Sequence, residues 1–196
     1  AIVSCYADVW YVDLESHVII HTVFDIPTKP LLIQSIEADE DGMLYIGGYH
    51  RGLCLYDPEE ESETAQFPAF PQIEGIGMLN QKVFFGTYTQ AKIYEYDKNK
   101  PLQTAADDKE ANPKFVFPIG HGQDRPFTFT SGDQKLFIGT IPDYGLNTGA
   151  LTVYDAKSDK WAVYPDVAPN LSVVGLAYHE GLLYGGTSIW GGLGQD

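Results

Sequence analysis

The sequence predicts an all-β protein built from repeated, four-stranded antiparallel units. The first observation is a strand ending in glycine that recurs four times, as LYIGGY from Leu44, VFFGTY from Val83, LFIGTI from Leu136 and LLYGGT from Leu182. The second is a tight-turn signal before each of these strands: EDGM, LNQK, SGDQK and HEG. The third is a composition of 20 Gly, 12 Pro, 13 Tyr and 10 Phe in 196 residues, which is typical of many turns and short strands.

Each repeat divides into four strands in chain order. The first strand is short and apolar, as in SIEA, IEGIGM, PFTFT and VVGLAY, and the second is the strand that ends in glycine. After a loop, the third strand ends in aspartate, as in LCLYD, IYEYD and LTVYD, and VWYVD near the start has the same ending. The fourth strands are HVIIHTVF, ETAQF, KFVF and KWAVY. Because aspartate bonds its own backbone in turns, Asp57, Asp97 and Asp155 are predicted to form the turns between third and fourth strands.

The spacing and the apolar pattern of the second strands resemble those of a known superfamily. The anchor glycines Gly47, Gly86, Gly139 and Gly185 lie 39, 53 and 46 residues apart, and LYIGG and LLYGG are apolar at successive positions, which predicts sheets covered on both faces. In these features the sequence resembles the β-propeller superfamily, including its WD40-like members. LFIGT followed by LTVYDAKSDKW is most similar to a kelch-like repeat, although the glycine pair of that repeat is Gly-Thr in two of the four units.

The resemblance divides the chain into blades. Residues 1–25 would hold the last two strands of one blade and residues 171–196 the first two strands of another. Complete blades are expected over residues 31–70, 73–119 and 126–165. These four blades of material would either close into a four-bladed ring or form part of a six- to eight-bladed propeller. The second alternative is favoured, because the chain starts at Ala1 rather than Met and stops at GGLGQD inside a predicted loop.

Charge and composition exclude several classes of partner. Twelve Lys and Arg against 27 Asp and Glu give a net charge of -15, which repels nucleic acid and anionic membranes, so neither is expected as a partner. No run approaches the roughly 20 apolar residues of a membrane-spanning helix. Cys5 and Cys54 lie in apolar stretches and are interpreted as buried thiols, which fits a soluble protein of either the cytoplasm or the exterior. The sequence has no G-x-S-x-G, H-E-x-x-H, P-loop or dinucleotide motif.

The propeller resemblance implies that the loops between second and third strands lie on one face with the loops between blades. These loops collect aromatic, histidine, amide and arginine side chains, and loops on a rigid scaffold are where binding and catalysis concentrate. The longest is IPDYGLNTG: from Gly139 to Asp155 is 16 residues, against 10 and 11 in the two preceding units. The candidate catalytic residues are His121, Tyr144, His50 and Arg125, and the candidate ligand-binding residues are Tyr49, Arg51, Tyr88, Gln123, Asp143, Asn147 and Trp190.

Two functions are compatible with this collection. Aromatic faces with directed hydrogen-bond donors suit a polysaccharide or another polar ligand. A base, an acid and a cation would further suit a polysaccharide lyase, with Arg51 or Arg125 offsetting a carboxylate and His121, His50 or Tyr144 moving protons. The alternative is a non-catalytic scaffold that binds another protein, and whether the chain is an enzyme stays open. Open sheet edges in a partial propeller would favour self-association.

No cofactor is expected, although a divalent metal held by His50, His121 and Asp143 stays open. The candidates also have structural interpretations. His50 and Arg51 would then only form a tight turn, His121 and Arg125 would only fasten a loop between blades, and Trp190 would only pack near the channel mouth.

Overall fold

A computed structural model describes residues 2–5, 8–23, 32–103 and 110–189 of the chain. The described residues form strands and turns but no helix, and therefore no helix that is long and apolar enough to span a membrane. The chain divides into two compact units, Ala1–Ile73 and Glu74–Asp196, and each is described by itself.

The first unit holds two antiparallel sheets. The first sheet contains β1 (Ile2–Cys5), β2 (Asp8–Val12) and β3 (Ile19–Val23), and the second contains β4 (Ile33–Ala38), β5 (Leu44–Gly48), β6 (Arg51–Asp57) and β7 (Ser62–Pro71), each in chain order. The described residues 2–5 and 8–23 therefore hold three strands, where the sequence predicted two over residues 1–25. The strand β1 was missed because IVSC is followed by no Gly, Asn or Pro that would mark a turn before β2.

The second unit holds two four-stranded antiparallel sheets and one two-stranded sheet. The first contains β8 (Ile73–Leu79), which starts at the unit boundary, β9 (Lys82–Thr87), β10 (Lys92–Asp97) and β11 (Lys114–Pro118). The second contains β12 (Gln123–Gly132), β13 (Lys135–Pro142), β14 (Leu151–Asp155) and β15 (Lys160–Tyr164). The last contains β16 (Ser172–His179) and β17 (Leu182–Ser188).

The core of the second unit lies where these sheets face one another. Strands β9 and β10 contact β12, and β12 and β13 contact β16. One buried cluster takes side chains from both four-stranded sheets: Leu79, Phe84, Ala91, Ile93, Ile119, Leu136, Ile138 and Tyr154. Full burial of an aliphatic or aromatic side chain contributes about 1.5–3 kcal/mol, so this shared cluster is a main reason that the sheets stack as one unit.

Gly86 and Gly139 show why glycine recurs at the end of the second strand of each repeat. A Cβ atom at Gly86 would lie 2.5 Å from the Pro126 side chain of β12, and one at Gly139 would lie 2.6 Å from the Val173 side chain of β16. Carbon atoms do not approach this closely without displacing one another. The missing side chain therefore lets the neighbouring sheets of this unit come together.

Most second strands are covered on both faces, as the apolar runs predicted. All five residues of β5 are buried, and seven of the eight residues of β13 are buried. The strand β17 is the exception, since Leu182 and Tyr184 are more than half exposed. The prediction of double coverage was wrong for β17, because it belongs to the last sheet of the described residues and no further described sheet follows to cover it.

Four aspartates form equivalent turns after the third strands. The Oδ1 atom of Asp57 accepts a hydrogen bond from the Glu59 amide at 2.9 Å, and Oδ1 of Asp155 accepts from the Lys157 amide at 2.9 Å. Asp13 and Asp97 accept the amide two residues on in the same way. These backbone donors lower the pKa of Asp13, Asp97 and Asp155. The predicted turn role of Asp57, Asp97 and Asp155 is confirmed.

Candidate functional site

Four loops of the second unit are tied to one another and form a continuous surface, which we call the loop face. They are residues 88–91, 119–122, 143–150 and 165–171. The first two are joined by the Ile119 amide, which donates to the Ala91 carbonyl at 3.0 Å. The second and third are joined by the Asp143 amide and the Gly122 carbonyl at 2.8 Å, and the third and fourth by Gly149 and Leu171 at 2.9 Å.

Arg125 lies at the centre of an aromatic cluster on the loop face. Its guanidinium carbon is 4.5 Å from the centre of the Tyr88 ring and 5.4 Å from that of Tyr144, within the range of cation–π contacts. Its Nη2 atom donates to the Tyr144 hydroxyl at 3.1 Å. The Tyr88 hydroxyl also bonds to Tyr144, and this bond, followed by burial, raises the pKa of Tyr88. Three predicted loops thus supply one cluster.

Two buried carboxylates lie beneath this guanidinium. The Oε1 atom of Glu74 is 3.8 Å from Nε of Arg125, and the Oδ2 atom of Asp124 is 3.6 Å from Nη1. The side chains of Glu74 and Asp124 are only 2% and 5% exposed, whereas that of Arg125 is 20% exposed. The single positive charge is therefore matched by more than one negative charge inside the protein.

Burial and neighbouring charges have opposite effects on the pKa values of Asp124 and Arg125. Burial raises the pKa of Asp124, and the Gln90 amide, which donates to Oδ1 at 2.9 Å, and the charge of Arg125 only partly offset it. Burial acts to lower the pKa of Arg125, but the hydrogen bond to Tyr144 and the charges of Glu74 and Asp124 outweigh it and raise that pKa. The buried Oδ2 atom of Asp124 accepts no hydrogen bond from the described residues, so its partner is the guanidinium charge.

Gln123, a candidate ligand-binding residue, is a buried clamp between loops. Its Nε2 atom donates to the carbonyls of His121 and Thr148 at 3.2 and 3.0 Å, and its Oε1 atom accepts from the Thr140 hydroxyl at 2.6 Å. The side chain is only slightly exposed, at 4% for the residue. A ligand would have to break these bonds to reach the amide.

The other candidates of the long loop also make internal bonds. Oδ1 of Asp143 accepts from the Tyr144 amide at 2.7 Å, and Nδ2 of Asn147 donates to Oδ1 of Asn170 at 2.9 Å. Asn147 thus fastens the loop 143–150 to the loop 165–171. Both side chains are exposed, and so are Tyr144 at 51% and Leu146 at 46%.

The histidine candidates do not join the aromatic cluster by any described contact. His121 is exposed with a φ of 52°, and within the described residues its only hydrogen bond in the site is the one its carbonyl accepts from Gln123. His50 belongs to the first unit, where its ring lies 4.1 Å from that of Tyr49 and its amide donates to Oε1 of Gln72 at 2.7 Å. Arg51 is exposed at the start of β6, and Trp190 lies outside the described residues.

Sequence reasoning missed Glu74 and Thr140. Glu74 is the single charge in the apolar strand IEGIGML, and that isolation was the available signal.

Thr140 is the threonine that replaces the second glycine of the repeat. It is fully buried, and its hydroxyl, which donates to Gln123, accepts from the Ala150 amide at 2.8 Å and lies 3.2 Å from the Ala150 carbonyl. Thr87 of the preceding sheet donates to the Lys92 carbonyl at 3.3 Å, so the Gly-Thr pairs close the following loops.

A separate cavity of about 320 Å³ lies where β10 leads to β11. Its lining includes Glu95, which lies 3.1 Å from both Lys82 and Lys114, and Asp97, which lies 3.1 Å from Lys100. These carboxylates are already paired with lysines. Among the described residues, no group of three or more His, Cys, Asp or Glu side chains has an arrangement that would hold a metal ion.

Comparison with known proteins identifies the fold. Neither a family model nor a curated protein matches the chain. The chain is similar to a solved structure entitled "Crystal Structure of Mitotic Checkpoint Complex", at 14% identity and a TM-score of 0.64 over 94% of this chain and 54% of that one. It is also similar to one entitled "Crystal structure of Nidogen/Laminin Complex", at 13% identity and a TM-score of 0.61 over 89% of this chain and 64% of that one.

This chain spans less than two thirds of the length of either matched chain. At such low identity the likeness bears on the fold alone, since one fold hosts many functions. The matched structures are β-propellers, and the three four-stranded antiparallel sheets of the described residues correspond to blades of that fold. The chain has a β-propeller fold with about four blades of material.

Proposed function

We propose that this chain is a non-catalytic scaffold that binds another protein through the loop face of its second unit. The observation that carries the proposal is the pair of exposed side chains Tyr144 and Leu146, held beside Arg125 on rigid sheets. Tyrosine and arginine are enriched among the residues that dominate protein interfaces, and exposed apolar side chains near them extend such a contact.

The matched structures give further support. Both are entitled as complexes, of the mitotic checkpoint and of nidogen with laminin, and those titles describe the matched proteins. For this chain we propose only the shared type of role, binding of a protein partner. We also propose that its repeats are kelch-like, with Thr87 and Thr140 in place of the second glycine because their hydroxyls close the loops.

The carbohydrate hypothesis, with or without lyase activity, has less support. A lyase that acts on uronates needs a cation to offset the carboxylate of the substrate. Arg125 is already matched by Glu74 and Asp124, so the aromatic cluster presents no surplus positive charge. No described contact brings His121 to this cluster as a base.

Site-specific photocrosslinking tests the proposed function. A photoreactive phenylalanine analogue replaces Tyr144 in one variant and Tyr184 of β17 in the other, because the two tyrosines are exposed to 51% and 54%. In cells that express the chain, we expect a discrete protein adduct from position 144 and none from position 184. Purified protein is tested in parallel for binding and cleavage of uronic-acid oligosaccharides. Oligosaccharide binding that is lost in Tyr144→Ala, without a protein adduct, would instead support the carbohydrate hypothesis.

A further inference from the structure

We infer that the segment recognised by the loop face is a basic peptide of the partner protein, with a lysine or arginine side chain placed against Tyr144. This inference rests on the proposed function, because it specifies the chemistry of the partner at the same surface. The site has an excess of exposed negative charge, an aromatic ring that is partly open and an apolar residue beside that ring.

The charge balance of the loop face is negative. The four loops carry the exposed carboxylates of Asp143 and Asp166 and contain no lysine or arginine. Beneath them, the buried carboxylates of Glu74 and Asp124 match the guanidinium of Arg125. Asp143 is close enough for its charge to contribute to the raised pKa of Asp124. A cationic segment is therefore attracted to this surface and an acidic one is repelled, in keeping with the net charge of -15 for the whole chain.

The exposed part of the Tyr144 ring can contact a second cation. Arg125 contacts its ring and bonds its hydroxyl, yet 51% of the residue is still exposed. The exposed part of an aromatic face attracts ammonium and guanidinium groups through the ring quadrupole. Because the hydroxyl is held by Arg125, the ring is oriented before a partner arrives, which lowers the entropy lost on binding.

Leu146 adds an apolar contact next to this position. It is 46% exposed, and it lies so close to Gly122 that a Cβ atom there would be 2.3 Å from Cδ1 of Leu146. The backbone of Gly122 thus supports the leucine from beneath. A segment with an apolar residue near its basic residue would fill both positions.

Selection from a library tests the chemistry of the partner. Random peptides of about twelve residues, displayed on phage, are selected on the intact chain at low ionic strength, where surface electrostatics are strongest. We expect the enriched peptides to carry a net positive charge and an apolar residue. As synthetic peptides they should bind about tenfold more weakly to Tyr144→Ala and a few-fold more weakly to Asp143→Asn, whereas Tyr184→Ala should bind as the wild type does.

The possible outcomes separate this inference from the proposed function. Neutral or acidic peptides that require Tyr144 would overturn the basic chemistry and leave the scaffold intact. Enriched peptides that bind Tyr144→Ala unchanged, or selection that yields no binder, would count against both. Circular dichroism and the urea midpoint of each variant show that it is folded before its affinity is interpreted.

Discussion

Replacement of Arg125 by alanine should destabilise the second unit in a way that depends on pH. The variant removes the guanidinium charge that lies beside the buried carboxylates of Glu74 and Asp124. At separations of 3.6–3.8 Å, each attraction is worth about 4 kcal/mol at an effective dielectric constant of about 20, before desolvation is subtracted. Removal of one partner from a buried pair costs about 3–5 kcal/mol. Because the arginine is one fifth exposed, we expect about 3 kcal/mol.

The pH dependence follows from the raised pKa of Asp124. Without the guanidinium this pKa rises further, so the folded variant holds a proton that the unfolded chain releases as pH increases. The destabilisation is therefore largest near neutral pH and shrinks as pH falls, because the folded variant then binds a proton at Asp124 and buries one negative charge fewer. Urea unfolding followed by tryptophan fluorescence, at about pH 7.5 and about pH 5, measures both free energies of unfolding.

The control is Arg51→Ala, since Arg51 is exposed and its loss should cost less than about 0.5 kcal/mol. Glu74→Gln in the Arg125→Ala background should recover about 1 kcal/mol by removing one of the two buried negative charges. An Arg125→Ala variant that is as stable as the Arg51 control, or that loses the same stability at both pH values, would contradict the stabilising role of the guanidinium.

Three further predictions concern the supports of the loop face and the thiol of the first unit. Gly122→Ala and Gly181→Ala should each lower the free energy of unfolding by about 1 kcal/mol, because both glycines have positive φ. Only Gly122→Ala should shift the Leu146 methyl signals in NMR spectra, because its Cβ atom would meet that side chain. Thr140→Val should lower the urea midpoint by an amount equivalent to about 1–3 kcal/mol, and Thr140→Ser by clearly less, because serine keeps the buried hydroxyl bonds. Burial, followed by the charge of Glu63, raises the pKa of Cys54 to about 12. In a variant whose other cysteine is replaced by serine, a disulfide reagent at about pH 8 should therefore label the protein only after urea is added.

The recurring residues made much of the fold predictable from sequence. Gly86 and Gly139 marked the strands because the close approach of neighbouring sheets requires glycine there, and Asp155 marked a turn because its carboxylate bonds the local backbone. Because each repeat has the same requirements, the residues that meet them recur along the sequence and can be recognised there. The strand β1 was missed because the residues after it carry no comparable local requirement.

The candidate site was only partly predictable, because its contacts join distant parts of the chain. Arg125 and Tyr144 were both identified as candidates, one from a loop between blades and one from a lengthened loop, and they are hydrogen-bonded to each other. Glu74 was not identified, since only the stacking of β8 beside β12 places it near Arg125. Gln123 was identified as a ligand-binding residue because the sequence does not distinguish an exposed loop amide from one that is buried between loops, as Gln123 is.

The buried ion pair and the exposed tyrosine are structurally coupled. A buried pair is weak evidence for stability, since apolar side chains of similar volume often stabilise a protein as well. Here Glu74 and Asp124 hold a guanidinium that in turn fixes the hydroxyl of Tyr144, a half-exposed ring at the surface. The structural effect of the pair is therefore to orient that ring as well as to contribute to folding. Under the proposed function, we expect Glu74, although its side chain is only 2% exposed, to affect partner binding through Arg125 and Tyr144.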